Sequence, residues 1–245
     1  MLSAWLDLLL PPACAGCARP GAVLCRGCAG ELCGDPRPRP PGHVPGLPDC
    51  WSAARYEGAA RRAILAYKER GRTALAAPLA ACLASALLAA PRPPGAALAL
   101  VPVPSARAAV RRRGHDPVRR LAALAVPALR ARGWPAVLAP VLRQRRRVRD
   151  QAGLGASQRA ENLAGAFGVV GEWDAAQRRV WGRARAVAVV VDDIVTTGAT
   201  LAEAAAALRR EGVEVPLAVT LAATPRRPGG PGRRWVIPAL PQPVR

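Results

Sequence analysis

Val187-Ala188-Val189-Val190-Val191-Asp192-Asp193-Ile194-Val195-Thr196-Thr197-Gly198-Ala199-Thr200-Leu201 is the stretch from which the rest of the chain is read. A run dominated by valine predicts a strand buried on both faces, and it stops at two carboxylates, which therefore stand at the strand's carboxyl end. Beyond them Thr196, Thr197 and Gly198 turn the chain into residues 199–210, alanine-rich and strongly helical in composition. The segment reads as a strand–loop–helix unit with its loop at the helix amino terminus. Such a loop presents unpaired N–H groups, hydroxyls and the positive end of a helix dipole, a combination that favours a phosphate. Gly198 lets the backbone close around the anion. Asp192 and Asp193 would repel that phosphate, and suit instead the hydroxyls of an adjoining sugar or a divalent cation that screens them. A ribose 5-phosphate meets both halves; an acidic surface turn capped by threonines is the plain alternative.

Residues Val190 to Thr200 resemble the phosphoribosyl pyrophosphate (PRPP) motif of type I phosphoribosyltransferases. Further segments resemble the ComF family, the competence-associated phosphoribosyltransferase-like proteins, and the likeness covers most of the chain. The resemblance implies an α/β fold: a parallel sheet of the type I phosphoribosyltransferase kind flanked by helices, with a small N-terminal zinc-binding module. It also implies PRPP bound with magnesium, Asp192 and Asp193 on the ribose, and Thr196, Thr197, Gly198, Ala199 and Thr200 around the 5-phosphate. The implied function is transfer or binding of a 5-phosphoribosyl group, with no acceptor specified. The alternative is a non-catalytic nucleotide or single-stranded DNA-binding protein acting with the DNA-uptake machinery in natural transformation.

The chain has 245 residues, 51% of them hydrophobic, enough for one α/β domain with a small attachment. No window has the apolar length needed to span a bilayer. Residues 1–10 lack a basic start and carry Asp7, so they read as a short amphipathic helix, not a signal peptide, and the protein as cytoplasmic. The net charge of +20 would ordinarily suggest a polyanionic partner. Lys68 is the only lysine, however, and a chain equally loaded with alanine, glycine and proline reaches this charge through biased codon usage alone.

Cys14-Ala15-Gly16-Cys17 and Cys25-Arg26-Gly27-Cys28 are two CxxC pairs. Two such turns facing each other make a tetrahedral, closed and therefore structural zinc site; a pair of disulfides is the alternative, disfavoured by a reducing compartment. Cys33 and Cys50 stand apart, where the family often has further CxxC pairs. His43 reads as a solvated residue of a proline-rich loop, and Cys82, among alanines and leucines, as a small core residue. The expected organisation is a cysteine-rich module over residues 1–50, a phosphoribosyltransferase-like domain over 51–224, and a disordered proline- and arginine-rich tail over 225–245.

Within the main domain, residues 51–56 read as a strand, 57–68 and 73–90 as helices, and 97–103 as a strand. Lys68 follows Tyr67 in a segment resembling the family's tyrosine–lysine pair; it is either a compact charge for a pyrophosphate or a helix-end lysine. Pro104, Ser105 and Arg107 resemble the pyrophosphate-binding loop of type I enzymes, a proline-braced turn. The resemblance gives Lys68, Arg107, Asp192 and Asp193 the catalytic roles. Arg111-Arg112-Arg113-Gly114 matches a family segment, with His115 and Asp116 where an aromatic and an asparagine are common. Asp116 reads as the cap of a helix over residues 117–130, with His115 before it. Residues 134–142 read as another strand. Residues 143–155 form a long polar loop, and Gln151, Arg159, Asn162 and Phe167 fall where the family's flexible catalytic loop has the same residues. A solvated basic loop is the alternative. Residues 167–170 and 213–221 read as the last two strands, besides the one that ends at the two acids.

Overall fold

The computed structural model describes residues 12–41, 44–92, 95–145, 163–170 and 186–225. Eight strands are described: β1 (Arg37–Pro38), β2 (Asp49–Arg55), β3 (Ala97–Pro102), β4 (Ala136–Leu138), β5 (Leu142–Gln144), β6 (Phe167–Val169), β7 (Ala186–Val195) and β8 (Leu217–Ala223). The described helices are α1 (Arg26–Cys33), α2 (Gly58–Glu69), α3 (Ala76–Ala89), α4 (Arg107–Arg113), α5 (Pro117–Arg130) and α6 (Ala199–Arg210). Six strands form one sheet in the order β1-β2-β8-β7-β3-β4, parallel throughout except for β1, which runs antiparallel along β2. β5 and β6 pair as a separate antiparallel ribbon.

The valine run lies in the middle of this sheet, and its period of two distributes it between two cores. Val189 and Val191 pack with Ile64 and Tyr67 of α2, Leu79, Leu83 and Leu87 of α3, and Leu121 and Leu129 of α5. Ala188 and Val190 face the other way, onto Leu201, Ala205 and Leu208 of α6 and onto Leu142 and Phe167 of the ribbon. Both faces of β7 are thus covered, which is why its sequence shows no polar alternation. With so few aromatics, leucines carry the first core; truncating one such as the fully buried Leu83 to alanine would cost about 2–5 kcal/mol. α5 starts at the Asp116 cap, whose carboxylate accepts from the Val118 and Arg119 amides, with Pro117 in the first turn.

The structure departs from the sequence reading at several places, one being the start of the loop expected over 143–155, where Arg143 and Gln144 belong to β5 and pair with β6. The strand expected over 134–142 is two: β4 on the sheet and β5 in the ribbon. Pro140 has no N–H to donate, and the chain turns there, with the Val141 amide on the Ala139 carbonyl. Residues 107–113, for which the sequence reading named no element, form α4, ended by Gly114 in the left-handed region. The last strand starts after Pro216 and runs on to Ala223. Cys82 is not a lone core thiol: it forms a disulfide with Cys33, joining α1 to α3. None of the described helices is long and apolar enough to cross a membrane. The expected N-terminal helix, His43, Gln151, Arg159, Asn162 and most of the tail lie outside the described residues.

Candidate functional site

β7 ends at the sheet's carboxyl rim, and its two acids line a cavity of about 380 Å³ together with Tyr56, Lys68, Val103, Pro104, Ser105, Val118, Ile194, Thr196 and Thr200. The cavity brings together pieces of chain far apart in sequence: the end of α2, the segment after β3, and the loop between β7 and α6. Of the residues chosen from sequence, Lys68, Pro104, Ser105, Asp192, Asp193, Thr196 and Thr200 line it.

Asp193 is 4% exposed, and its carboxylate meets the Lys68 ammonium at 2.7 Å. Burial alone would lower the Lys68 pKa, but the charges of Asp193 and then Asp192 outweigh it and hold the ammonium above its ordinary value. Asp192 accepts the Asp193 amide at 2.8 Å. Burial first, and then the neighbouring Asp193 charge, push the Asp192 carboxyl up to about 8, with Lys68 opposing. One cation therefore serves two acids, and the site has capacity for a second cation or for donated hydroxyls.

The loop that follows has the features of an anion cradle. Gly198 lies at φ +85°, and no side chain caps α6. The Ala199 amide reaches only the Thr197 hydroxyl, at 3.4 Å. A Cβ on Gly198 would stand 2.7 Å from Pro41 Cγ and 3.0 Å from a Leu47 methyl, so the segment before β2 rests on this glycine. Thr197, Gly198 and Ala199 belong to the loop but do not line the cavity.

Ser105 is already engaged: its amide donates to Asp116 Oδ2 at 2.8 Å and its hydroxyl to Asp116 Oδ1 at 3.3 Å. Sequence reading found Asp116 as a helix cap and missed this second role, since the two residues are eleven positions apart with α4 between them. Tyr56 was also missed; a tyrosine at the end of a strand carries no motif of its own. Arg107 does not line the cavity of the acids. It lines a neighbouring groove of about 850 Å³ with Ala106, Ala108, Arg111, Arg143, Gln144 and Arg145, which adjoins the first cavity along the Ser105–Ala106 bond. The Arg145 side chain lies over Gly168 and would have to swing aside for a Cβ there.

Away from the rim, the thiol sulfurs of Cys14, Cys17, Cys25 and Cys28 all lie within 4.8 Å of one another. A tetrahedron of sulfurs around zinc, with bonds of about 2.3 Å, has edges near 3.8 Å, and Cys17 and Cys25 stand 3.7 Å apart. Amides of Gly16 and Cys25 both donate to Cys14 Sγ at 3.3 Å. Burial raises the Cys14 pKa, but these donors and that of Cys17 outweigh it and bring the thiol down to about 6, while burial and the neighbouring thiols push Cys28 up. Gly16 is obligatory, because a Cβ there would meet Cys28 Sγ at 2.5 Å. The four cysteines could hold a metal ion such as zinc. Arg62 and Arg72 bind the module's backbone at Gly16 and Ala13.

No protein-family model matches the chain, and no curated protein matches it.

Proposed function

We propose that the rim cavity binds the 5-phosphoribosyl group of PRPP with magnesium, and that the chain is a phosphoribosyltransferase. The observation that carries this reading is that Asp192, Asp193, the loop's Thr196 and Thr200 in the first turn of α6 meet at one cavity with Lys68. A 5-phosphate fits the amides and hydroxyls of Thr196, Thr197, Gly198, Ala199 and Thr200, and the ribose hydroxyls fit Asp192 and Asp193. Magnesium would neutralise the diphosphate beside these carboxylates. In the transfer, the acceptor's lone pair forms a bond to ribose C1, the C1–O bond breaks, and its electron pair leaves with the diphosphate while the acceptor's proton passes to solvent. Lys68 and Arg107 would stabilise the charge gathering on the diphosphate, and the acids the positive character of the ribose. Titration with PRPP and magnesium should saturate, and Asp192→Asn with Asp193→Asn should abolish it. Unchanged binding in that double variant would overturn the reading.

The four arginines of the groove beside Ser105 favour a second reading, a non-catalytic nucleotide or single-stranded DNA-binding protein acting in DNA uptake. No aromatic side chain lines that groove, which counts against a base-stacking surface. A salt-sensitive shift of labelled single strands, lost in Arg107→Gln with Arg111→Gln and unaffected by PRPP, would favour it. The cysteine cluster is then a structural zinc site, supporting a module too small to fold on its own core.

A further inference from the structure

The rim carries a third opening, of about 280 Å³, between Arg39, Pro40, Arg55, Ala223, Thr224 and Pro225. The strand register places it next to the cavity of the acids. Val195, Ala223 and Arg55 stand side by side on β7, β8 and β2. Thr224 donates its amide to the Val195 carbonyl and its hydroxyl to the Thr196 carbonyl, at the start of the phosphate loop. Arg55 lines this opening while the next residue, Tyr56, lines the cavity of the acids, so one peptide separates the two spaces.

Its charge is one-sided. Asp35 is shared between Arg37 and Arg39, which leaves one carboxylate among three arginines once Arg55 is counted. Arg39 is buried to 11% side-chain exposure, and its Nε has no partner. Among the described residues Arg55 has no ion pair or hydrogen bond from its side chain. Arg39 already gives Nη2 to the Asp35 carboxylate and carbonyl, so it is the free guanidinium of Arg55, with the unpaired side of Arg39 beside it, that suits a compact anion such as a carboxylate or phosphate.

The sheet order assigns the side. β7 stands between β8 and β3, so the arginine groove after β3 and the opening at the ends of β8 and β2 lie on opposite sides of the acids. In an in-line displacement at ribose C1 the entering group approaches from the side opposite the leaving group, with the reacting orbitals aligned. With the diphosphate toward Arg107, the acceptor enters from the side of Arg55.

We propose that this opening is the acceptor subsite and that the acceptor is a small molecule bearing a carboxylate or phosphate, held by Arg55 and Arg39. The inference rests on the phosphoribosyl reading above. It is tested in two steps on the full chain. PRPP binding with magnesium is measured first. Diphosphate release from saturating PRPP is then followed with matched probes: orotate against uracil and nicotinate against nicotinamide for carboxylates, phosphoethanolamine against ethanolamine for phosphates. The anionic member of at least one pair should be favoured by about tenfold or more in kcat/KM. Arg55→Gln should erase that preference and Arg55→Lys restore some of it, with PRPP affinity unchanged in both. A preference in the carboxylate or the phosphate pairs alone identifies which anion is read. PRPP binding without preference for any anionic member, or a preference that survives Arg55→Gln, overturns the inference and leaves the phosphoribosyl reading standing. Absence of PRPP binding overturns both.

Discussion

Lys68 at the end of α2 and Asp193 at the end of β7 form an ion pair of 2.7 Å across the rim cavity, with the carboxylate almost wholly buried. The lysine side chain is 31% exposed, so the pair is neither a surface contact nor a fully desolvated one. Lys68→Met leaves a buried carboxylate without its counter-charge and should cost roughly 1–3 kcal/mol, between the surface and buried cases. Adding Asp193→Asn should recover some of that loss, giving a favourable coupling energy in a double-mutant cycle from urea unfolding. The lysine's pKa is raised, so its contribution is complete below the unfolded value and disappears as pH rises through the folded one, in the alkaline range beyond 10.5.

Asp192 has the opposite sign. Its folded pKa, about 8, lies above the ordinary carboxylate value of 3.8. Between those two values the folded protein holds a proton that the unfolded chain has lost, so this group costs stability progressively as pH rises from about 4 to about 8. Asp192→Asn should therefore raise Tm at pH 8, by about 2–4 °C per kcal/mol recovered, and leave it little changed near pH 4. An equal change in Tm at both pH values would show that Asp192 is not held protonated.

Asp116 joins the cap of α5 to the loop after β3. Asp116→Ala removes both and should cost about 0.5–2 kcal/mol for the cap alone. Asp116→Asn can keep Oδ1 on the Val118 and Arg119 amides, while its NH₂ replaces Oδ2, the acceptor of the Ser105 amide. Unfolding free energy should then fall by less than in Asp116→Ala, because the cap bonds survive while the Ser105 amide loses its acceptor. If the rim binds PRPP as proposed, its affinity should rise, because the amide is released and a negative charge is removed from the site. Tighter binding in Asp116→Ala but not in Asp116→Asn would contradict this account.

The cysteine cluster should bind one equivalent of zinc, read by elemental mass spectrometry on the purified protein. Cys14→Ser should lose it, and chelation should lower Tm without changing PRPP affinity, since the cluster belongs to the packing around α2 and not to the rim.

The Cys33–Cys82 disulfide spans 49 residues of sequence. In the chain-entropy account, closing such a loop is worth about 4 kcal/mol. Cys82→Ala, or reduction, should lower the urea midpoint and make α1 the first segment to gain amide exchange. A free-thiol assay giving all seven cysteines in the native chain would show that the bond is absent in solution.

The elements that sequence made legible are those with a strong period or a strong stop. The valine run, the Asp116 cap and the two CxxC pairs each carry their own physical reason, and the structure has a strand, a capped helix and a four-sulfur cluster there. Lys68 stood out as the one lysine of the chain. What sequence did not give depends on distance in space. The engagement of Ser105 by Asp116 needs α4 to fold between them, and the disulfide needs α1 laid against α3. Tyr56 and Arg55 divide one cavity from the next only because β2 ends level with β8. The split at Pro140 was readable in principle from its missing N–H, but the apolar residues on both sides of it imitate one strand.

The six-stranded sheet finishes at each margin in a stub, two residues with Pro38 at β1 and three at β4. A neighbouring chain has almost no ladder there on which to register, so the valine-rich interior that builds the rim does not present itself as a template for fibrous self-association.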